Sequence, residues 1–252
     1  MTKQEALFEY CLRIGDTGVV LGQRLGEWCG HGPVLEEDIA MTNIALDLIG
    51  QARGFLTYAG EVEGKGRSED DLAYLRSDRE YRNLLLAEQP NGDFAVTMLR
   101  QFLISAFQQH FHEALRKSKD STLSALGEKS LKEVTYHLRH SRDWVLRLAL
   151  GTDESRSRLM AAQEELWTYT GDLFDMDIVD ETLIREGIGV DLTQVRPLWE
   201  QTVKETFTEA EIPYPADSFM QRGSREGRHT EHLGHLLSEL QILHRSIPNA
   251  QW

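Results

Sequence analysis

Cysteine is almost missing from this chain. Cys11 and Cys29 are the only two in 252 residues, so neither a disulfide framework nor a thiolate metal site carries the fold. Positive charge is also short: 27 Lys and Arg stand against 41 Asp and Glu, a net charge of −14. That balance argues against nucleic acid or an anionic membrane surface as partner, since both need a cationic face. No apolar run approaches the ~18 residues of a membrane span, and mean hydropathy is −0.42. The start, Met1-Thr2-Lys3-Gln4-Glu5, lacks an apolar signal core behind a basic stretch. Runs of alternating β-branched residues flanked by hairpin turns are missing, as are fixed-period repeats and low-complexity segments. With 40 % hydrophobic residues the chain still buries a core, and the expectation is an acidic, globular, cytoplasmic protein.

Proline is scarce where it matters. The six prolines stand at 33, 90, 197, 213, 215 and 248, and none lies between Pro90 and Pro197. Long proline-free, apolar-periodic stretches predict helices over residues 5–28, 35–59, 93–115 and 121–150. The first carries Gly15, Gly18, Gly22 and Gly26 at three-four spacing. Glycine costs roughly 1 kcal/mol inside a helix, so this row predicts the close approach of another helix. Asp93 is the expected cap of the third helix, and Gly151-Thr152-Asp153 ends the fourth and caps the next. The stripe of the fourth helix is expected to be Leu131, Val134, Leu138, Val145 and Leu148.

Four helices of matched length, about 36–45 Å at 1.5 Å per residue, pack as an antiparallel bundle. The connection over 60–92 is too long for a hairpin and predicts a crossover with a short helix near 70–86. Helix pair, crossover, helix pair is the ferritin-like order. Shorter helices over 154–174, 180–186, 197–207 and 230–245 are expected to wrap the bundle. The expectation is one all-α, ferritin-like domain over 1–252, with its core bundle over about 5–150 and wrapping helices over about 152–245.

Di-iron bundles of this kind use carboxylates from all four helices and two Glu-x-x-His pairs, a hard, anionic donor set. In the second helix Asp47 is the only charged residue between Ile39 and Ala52, and a lone acid in so apolar a window is expected to be buried. Three residues on, where histidine belongs, stands Gly50. In the fourth helix His137 has Val134 three residues before it, and Glu133 is one position off. The first helix offers Leu21, and the third has no acid between Ala95 and Phe111, with Ser105, Gln108 and Gln109 as polar choices. At most one acid and one histidine of the set remain.

Several motifs resemble a known family: Leu25-Gly26-Glu27-Trp28-Cys29-Gly30-His31, Asn43-Ile44-Ala45-Leu46-Asp47-Leu48-Ile49-Gly50-Gln51-Ala52-Arg53, Glu88-Gln89-Pro90-Asn91-Gly92, Tyr136-His137-Leu138-Arg139 and His229-Thr230-Glu231-His232-Leu233-Gly234. Together, and in this order, they are similar to the PaaC subunits of the bacterial phenylacetyl-CoA oxygenase, a ring 1,2-epoxidase. The resemblance covers the chain down to Gln251-Trp252. It implies a ferritin-like, non-catalytic subunit that pairs with a homologous catalytic di-iron subunit, PaaA. Iron, dioxygen and electrons from an NADPH-linked flavin and iron–sulfur reductase then belong to other components. It implies no catalytic residue and no cofactor in this chain, and makes Leu21, Asp47, Gly50, Val134 and His137 degenerate ligand positions. The role expected is a scaffold that flanks the catalytic bundle and helps shape the channel for an aryl-CoA thioester.

Other residues keep two readings each. Asp47 is either a residual iron ligand or a buried carboxylate with a hydrogen-bonding or basic partner. Glu133, His137 and His140 share one helix face and suit either a surface metal site or polar packing. His110 reads as a hydrogen-bonded core histidine. Arg222, Arg225 and Arg228 form the most basic short segment, ahead of a helix, and suit a partner contact or the phosphates of CoA. His229, Glu231, His232 and His235 look like a metal cluster, but His229 and His235 lie ~120° apart on a helix, which favours a hydrogen-bonded knot fixing the C-terminal helix. Trp28, Trp144, Trp167, Trp199 and Trp252 are expected anchors of core or interface. The rivals to a scaffold are a free-standing di-iron oxidase using Asp47, Glu133, His137 and His140, and a homodimeric helical binding module. A Ser/His/Asp arrangement, a Walker loop and a dinucleotide fingerprint are all missing; Gly15, Gly18 and Gly22 lie inside a helix rather than after a strand.

Overall fold

A computed structural model describes residues 1–216 and 218–247; the expected anchor Trp252 lies outside the described residues. Among the described residues there are α-helices and short 3-10 turns and no strand. Helix α1 (Lys3–Gly26) starts at a capping box in which Thr2 Oγ1 accepts from the Glu5 N–H and Glu5 accepts from the Thr2 N–H. Helix α2 (Leu35–Glu63) opens on Glu36, Glu37 and Asp38, which suit the positive end of its dipole, and stops at Gly64 with φ 70°. The crossover then holds α3 (Glu69–Tyr74), a 3-10 turn and α4 (Leu85–Glu88). One short helix over 70–86 was expected; the observed pieces are shorter because Ser68 and Ser77 each start a new capped turn.

Helix α5 (Phe94–Leu115) begins where expected, with Asp93 Oδ1 accepting from the Ala95 and Val96 N–H groups. Helix α6 (Ser121–Leu150) is capped the same way by Asp120, and α7 (Asp153–Leu166) by Thr152. A 3-10 stretch carries the chain on to Phe174, followed by α8 (Ile178–Arg185) and α9 (Leu192–Glu209). Pro197 does not start α9, as expected, but sits in its second turn, because Asp191 supplies the cap. The last predicted helix is broken at Gln241 into α10 (Glu231–Leu240) and α11 (Ile242–Ser246). This order of a long helix pair, crossover, long helix pair and shorter helices is all-α and ferritin-like.

The chain gathers into two compact units, 1–90 with 177–183 and the segment from 223 onward, and 91–176 with 184–222. In the first, α1 and α2 form an antiparallel pair at close range. A Cβ added to Gly15 would lie 2.7 Å from the Leu56 side chain, and one added to Gly18 2.9 Å from the Leu48 carbonyl oxygen. Gly22 meets Ile49 in the same way, whereas Gly26 has open space and takes no part. In the second unit α5 pairs antiparallel with α6, and α7 and α9 pack on α5. Helix α5 is buried on every side from Ala95 to Gln108. The buried face of α6 is Leu123, Gly127, Ser130, Val134, His137, Ser141, Val145 and Ala149. Leu131, Leu138 and Leu148, expected there, are only half-buried, because small polar residues occupy the inward positions.

Candidate functional site

Polar side chains inside each unit are the natural place to look for chemistry. In the first unit they form three ion-paired knots. On α1, fully buried Asp16 accepts from both Arg76 terminal nitrogens and from the Arg82 N–H at 2.8 Å. Burial opposes the Arg76 charge, but the Asp16 carboxylate outweighs it and raises the guanidinium pKa. The Arg76 guanidinium also lies 4.6 Å from the centre of the Tyr81 ring, and Gln241 donates to the Ala73 and Arg76 carbonyls. One turn earlier, Arg13 donates to Asp180 at 2.8 Å and Asp177 at 2.5 Å. Burial pushes the Asp180 carboxyl up against the pull of Arg225 and Arg13.

The third knot centres on Glu88, at the end of α4. Its carboxylate accepts from His229 Nδ1 at 2.7 Å, Asn83 Nδ2 at 2.8 Å, and the Thr230 N–H and hydroxyl at 2.6 and 2.8 Å. Arg24 donates to the Glu88 carbonyl at 2.8 Å. His229 Nε2 faces the Tyr81 carbonyl at 2.9 Å, so both ring nitrogens have acceptors and the imidazolium is the form that fits. Burial works against that charge, but Glu88 outweighs it and raises the His229 pKa. Thr230 is the N-cap of α10, so a protein carboxylate already occupies the anion-binding end of that helix.

The second unit buries a different set. His112 and His137 are buried on α5 and α6; burial, with His137 nearby, pushes the His112 pKa down to about 3, so the ring is neutral. Gln101 donates to Ser105 at 2.8 Å, and Ser141 to the His137 carbonyl at 2.7 Å. Arg100 is fully buried and donates to Asn91 Oδ1 at 2.6 Å. The same unit holds an aromatic group of Phe102, Trp167, Phe174, Trp199, Phe207 and Tyr214, with Trp167 and Trp199 stacked at 5.9 Å and Trp199 Nε1 donating to the Leu103 carbonyl at 2.9 Å.

The residues singled out from sequence are scattered over these settings. Leu21, Val134 and His137 are fully buried. Asp47 is half-buried rather than buried, and Gly50 is exposed, because this side of α2 faces outward with Leu46 and Ile49 exposed beside them. Glu133 and His140 are half-buried. His110 is half-buried and bonds Thr202 Oγ1 at 2.9 Å. Of the four residues around α10, His229 is tied into the Glu88 knot by its ring and half-buried His232 by its carbonyl, which accepts from Arg24 at 3.4 Å; Glu231 and His235 point to solvent. Each of the three arginines has an acidic neighbour: Arg222 pairs with Asp175, Arg228 with Glu226 at 2.6 Å, and Arg225 acts on Asp180. Trp167 and Trp199 are buried anchors, while Trp28 and Trp144 are half-buried.

No group of three or more His, Cys, Asp or Glu among the described residues is placed to hold a metal ion. At the expected ligand positions the donors are one half-exposed aspartate and one histidine, with leucine, glycine and valine elsewhere, and that set does not fit a di-iron pair. Sequence reasoning missed Asp16, Arg76, Arg13 and the role of Glu88, whose partners lie 60 to 167 residues away. It also missed His112, two positions from the His110 it favoured.

Two comparisons place these observations among known proteins. A family model described as "Phenylacetic acid catabolic protein" matches residues 1–252. The C component of the 1,2-phenylacetyl-CoA epoxidase from Escherichia coli K12 is 48 % identical over 246 residues, covering 98 % of this chain and 99 % of that protein.

Proposed function

Because the chain belongs to the phenylacetic acid catabolic protein family, we propose that it is a structural subunit of a multicomponent 1,2-phenylacetyl-CoA epoxidase, working in the cytoplasm. In this reading it pairs with a catalytic di-iron subunit and performs no oxygen chemistry of its own. Leu21, Asp47, Gly50, Val134 and His137 then stand at the sequence positions of a lost ligand set, with Asp47 and Gly50 on the outward side of α2. The donor count carries the reading: iron needs an array of hard anionic ligands, and three of these five positions are aliphatic or glycine.

The contribution of the chain is then mechanical. Glycine-tight packing of α1 on α2 and the ion-paired knots make a stiff body. Docked on a partner, such a body holds the partner's helices at fixed spacing and so preorganises a site it does not itself contain. For Arg222, Arg225 and Arg228 a partner contact is favoured over the CoA phosphates, since each has an acidic neighbour and Glu88 caps α10.

The test is iron analysis of the purified chain together with reconstitution. The expected result is about zero iron per chain, no oxygenase activity alone, and activity on phenylacetyl-CoA once the catalytic and reductase components are added. Stoichiometric iron in the isolated chain would falsify the reading.

A further inference from the structure

We propose that the outward face of α2 is the seat of one helix from the catalytic subunit, a helix with an apolar seam and basic flanks. The proposal rests on the subunit reading above and adds to it a surface. Leu35, Ile39, Leu46 and Ile49 are 71, 51, 64 and 42 % exposed. With Thr42 and Arg53 they occupy positions 35, 39, 42, 46, 49 and 53, alternating steps of four and three. That repeat is the seam by which one helix lies along another. Single exposed leucines need no explanation, but a stripe of this kind over roughly 20 Å of helix does. The packing of α2 on α1 uses Leu48, Ala52 and Leu56, with Ile49 touching Gly22 at the edge of the seam, so Leu35, Ile39 and Leu46 form an apolar face that the hairpin leaves uncovered.

Gly50 points the same way independently. It lies inside α2, beside this seam, and is exposed; a Cβ there would meet nothing within 4 Å. Glycine weakens a helix relative to alanine, and Gly15, Gly18 and Gly22 each have a neighbour that needs the room. At Gly50 no described residue is such a neighbour, and with the apolar seam beside it the space suits a body from outside. Charge selects which body. Glu36 and Asp47 border the seam, Arg53 is engaged with Glu69 at 3.1 Å, and the whole chain carries −14. A second copy would bring like charge to the seam, whereas a helix with Lys or Arg on its flanks complements it.

The experiment uses the full chain and the catalytic subunit, with affinity read by titration and thermal midpoint by calorimetry. Gly50→Leu and Leu46→Asp are expected to weaken the complex by about tenfold or more each, with the midpoint of the free chain raised by Gly50→Leu and unchanged by Leu46→Asp. Gly50→Ala is expected to raise the midpoint of the free chain and still weaken the complex, a pairing of signs that loss of folding does not produce. If the unmodified pair binds and all three variants bind as tightly, the seat is wrong and the subunit reading stands. If the unmodified pair does not bind, both fail. If the free chain is a dimer that Leu46→Asp dissociates, a second copy holds the seam and the proposal is overturned.

Discussion

The first unit ties itself together with charge taken out of water: Arg76 on Asp16, Arg13 on Asp180, His229 on Glu88. The second packs aromatic rings and mostly neutral polar groups against α5, with Arg100 its one buried charge named above, and the ion pairs described within it, such as Arg142–Glu209 and Arg196–Glu200, lie at the surface. Buried pairs gain little over an apolar core but punish the loss of one partner severely. Rings and neutral groups lose stability in proportion to what is removed. The first unit is therefore brittle to single changes in charge, and the second degrades by degrees.

The largest test of that contrast is Asp16→Ala, which strands a buried guanidinium and is expected to cost about 3–5 kcal/mol in urea unfolding. Asp16→Leu combined with Arg76→Met should recover most of the loss; if it does not, the brittleness has another source. In the second unit Trp199→Phe removes one stacked ring edge and the bond to the Leu103 carbonyl, for an expected ~1–3 kcal/mol by the same measurement.

Acid sharpens the comparison further, because the two units carry histidines of opposite sign. The folded pKa of His229 is raised, so its stabilisation is complete below ~6.5 and is lost as pH rises through the folded value. His112 is depressed to about 3, so the unfolded chain binds the extra proton and stability falls as pH drops from ~6.5 toward that value. His229→Gln is expected to flatten the alkaline side of the stability profile and His112→Gln the acidic side; the reverse assignment would break the scheme. Smallest of all, Arg142→Ala at the surface should move stability by less than ~1 kcal/mol.

Much of the scaffold was legible. Asp93 and Thr152 announce helix starts through side-chain oxygens that only local geometry requires, and the glycine row of α1 announces its close neighbour. What local pattern could not show was which face turns inward. Asp47 looked buried because its neighbours are apolar, yet Leu46 and Ile49 are themselves exposed. On α6 the inward positions hold Ser130, His137 and Ser141, which read as a polar face. The site residues were least legible, since a buried charge is recognised by its counter-charge, and Asp16, Arg13 and Glu88 find theirs far along the chain. The identity of Glu88 as part of a motif was visible; its work as a cap for a distant helix was not.

The Glu88–His229 pairing also sets an order of events during synthesis. The carboxylate emerges from the ribosome early, and its imidazolium partner follows 141 residues later. Arg13 likewise waits 167 residues for Asp180. Until residues 180 and 229 have been translated, the amino-terminal segment holds these ionised groups without their counterparts, so the nascent chain keeps them hydrated, or shielded, until then.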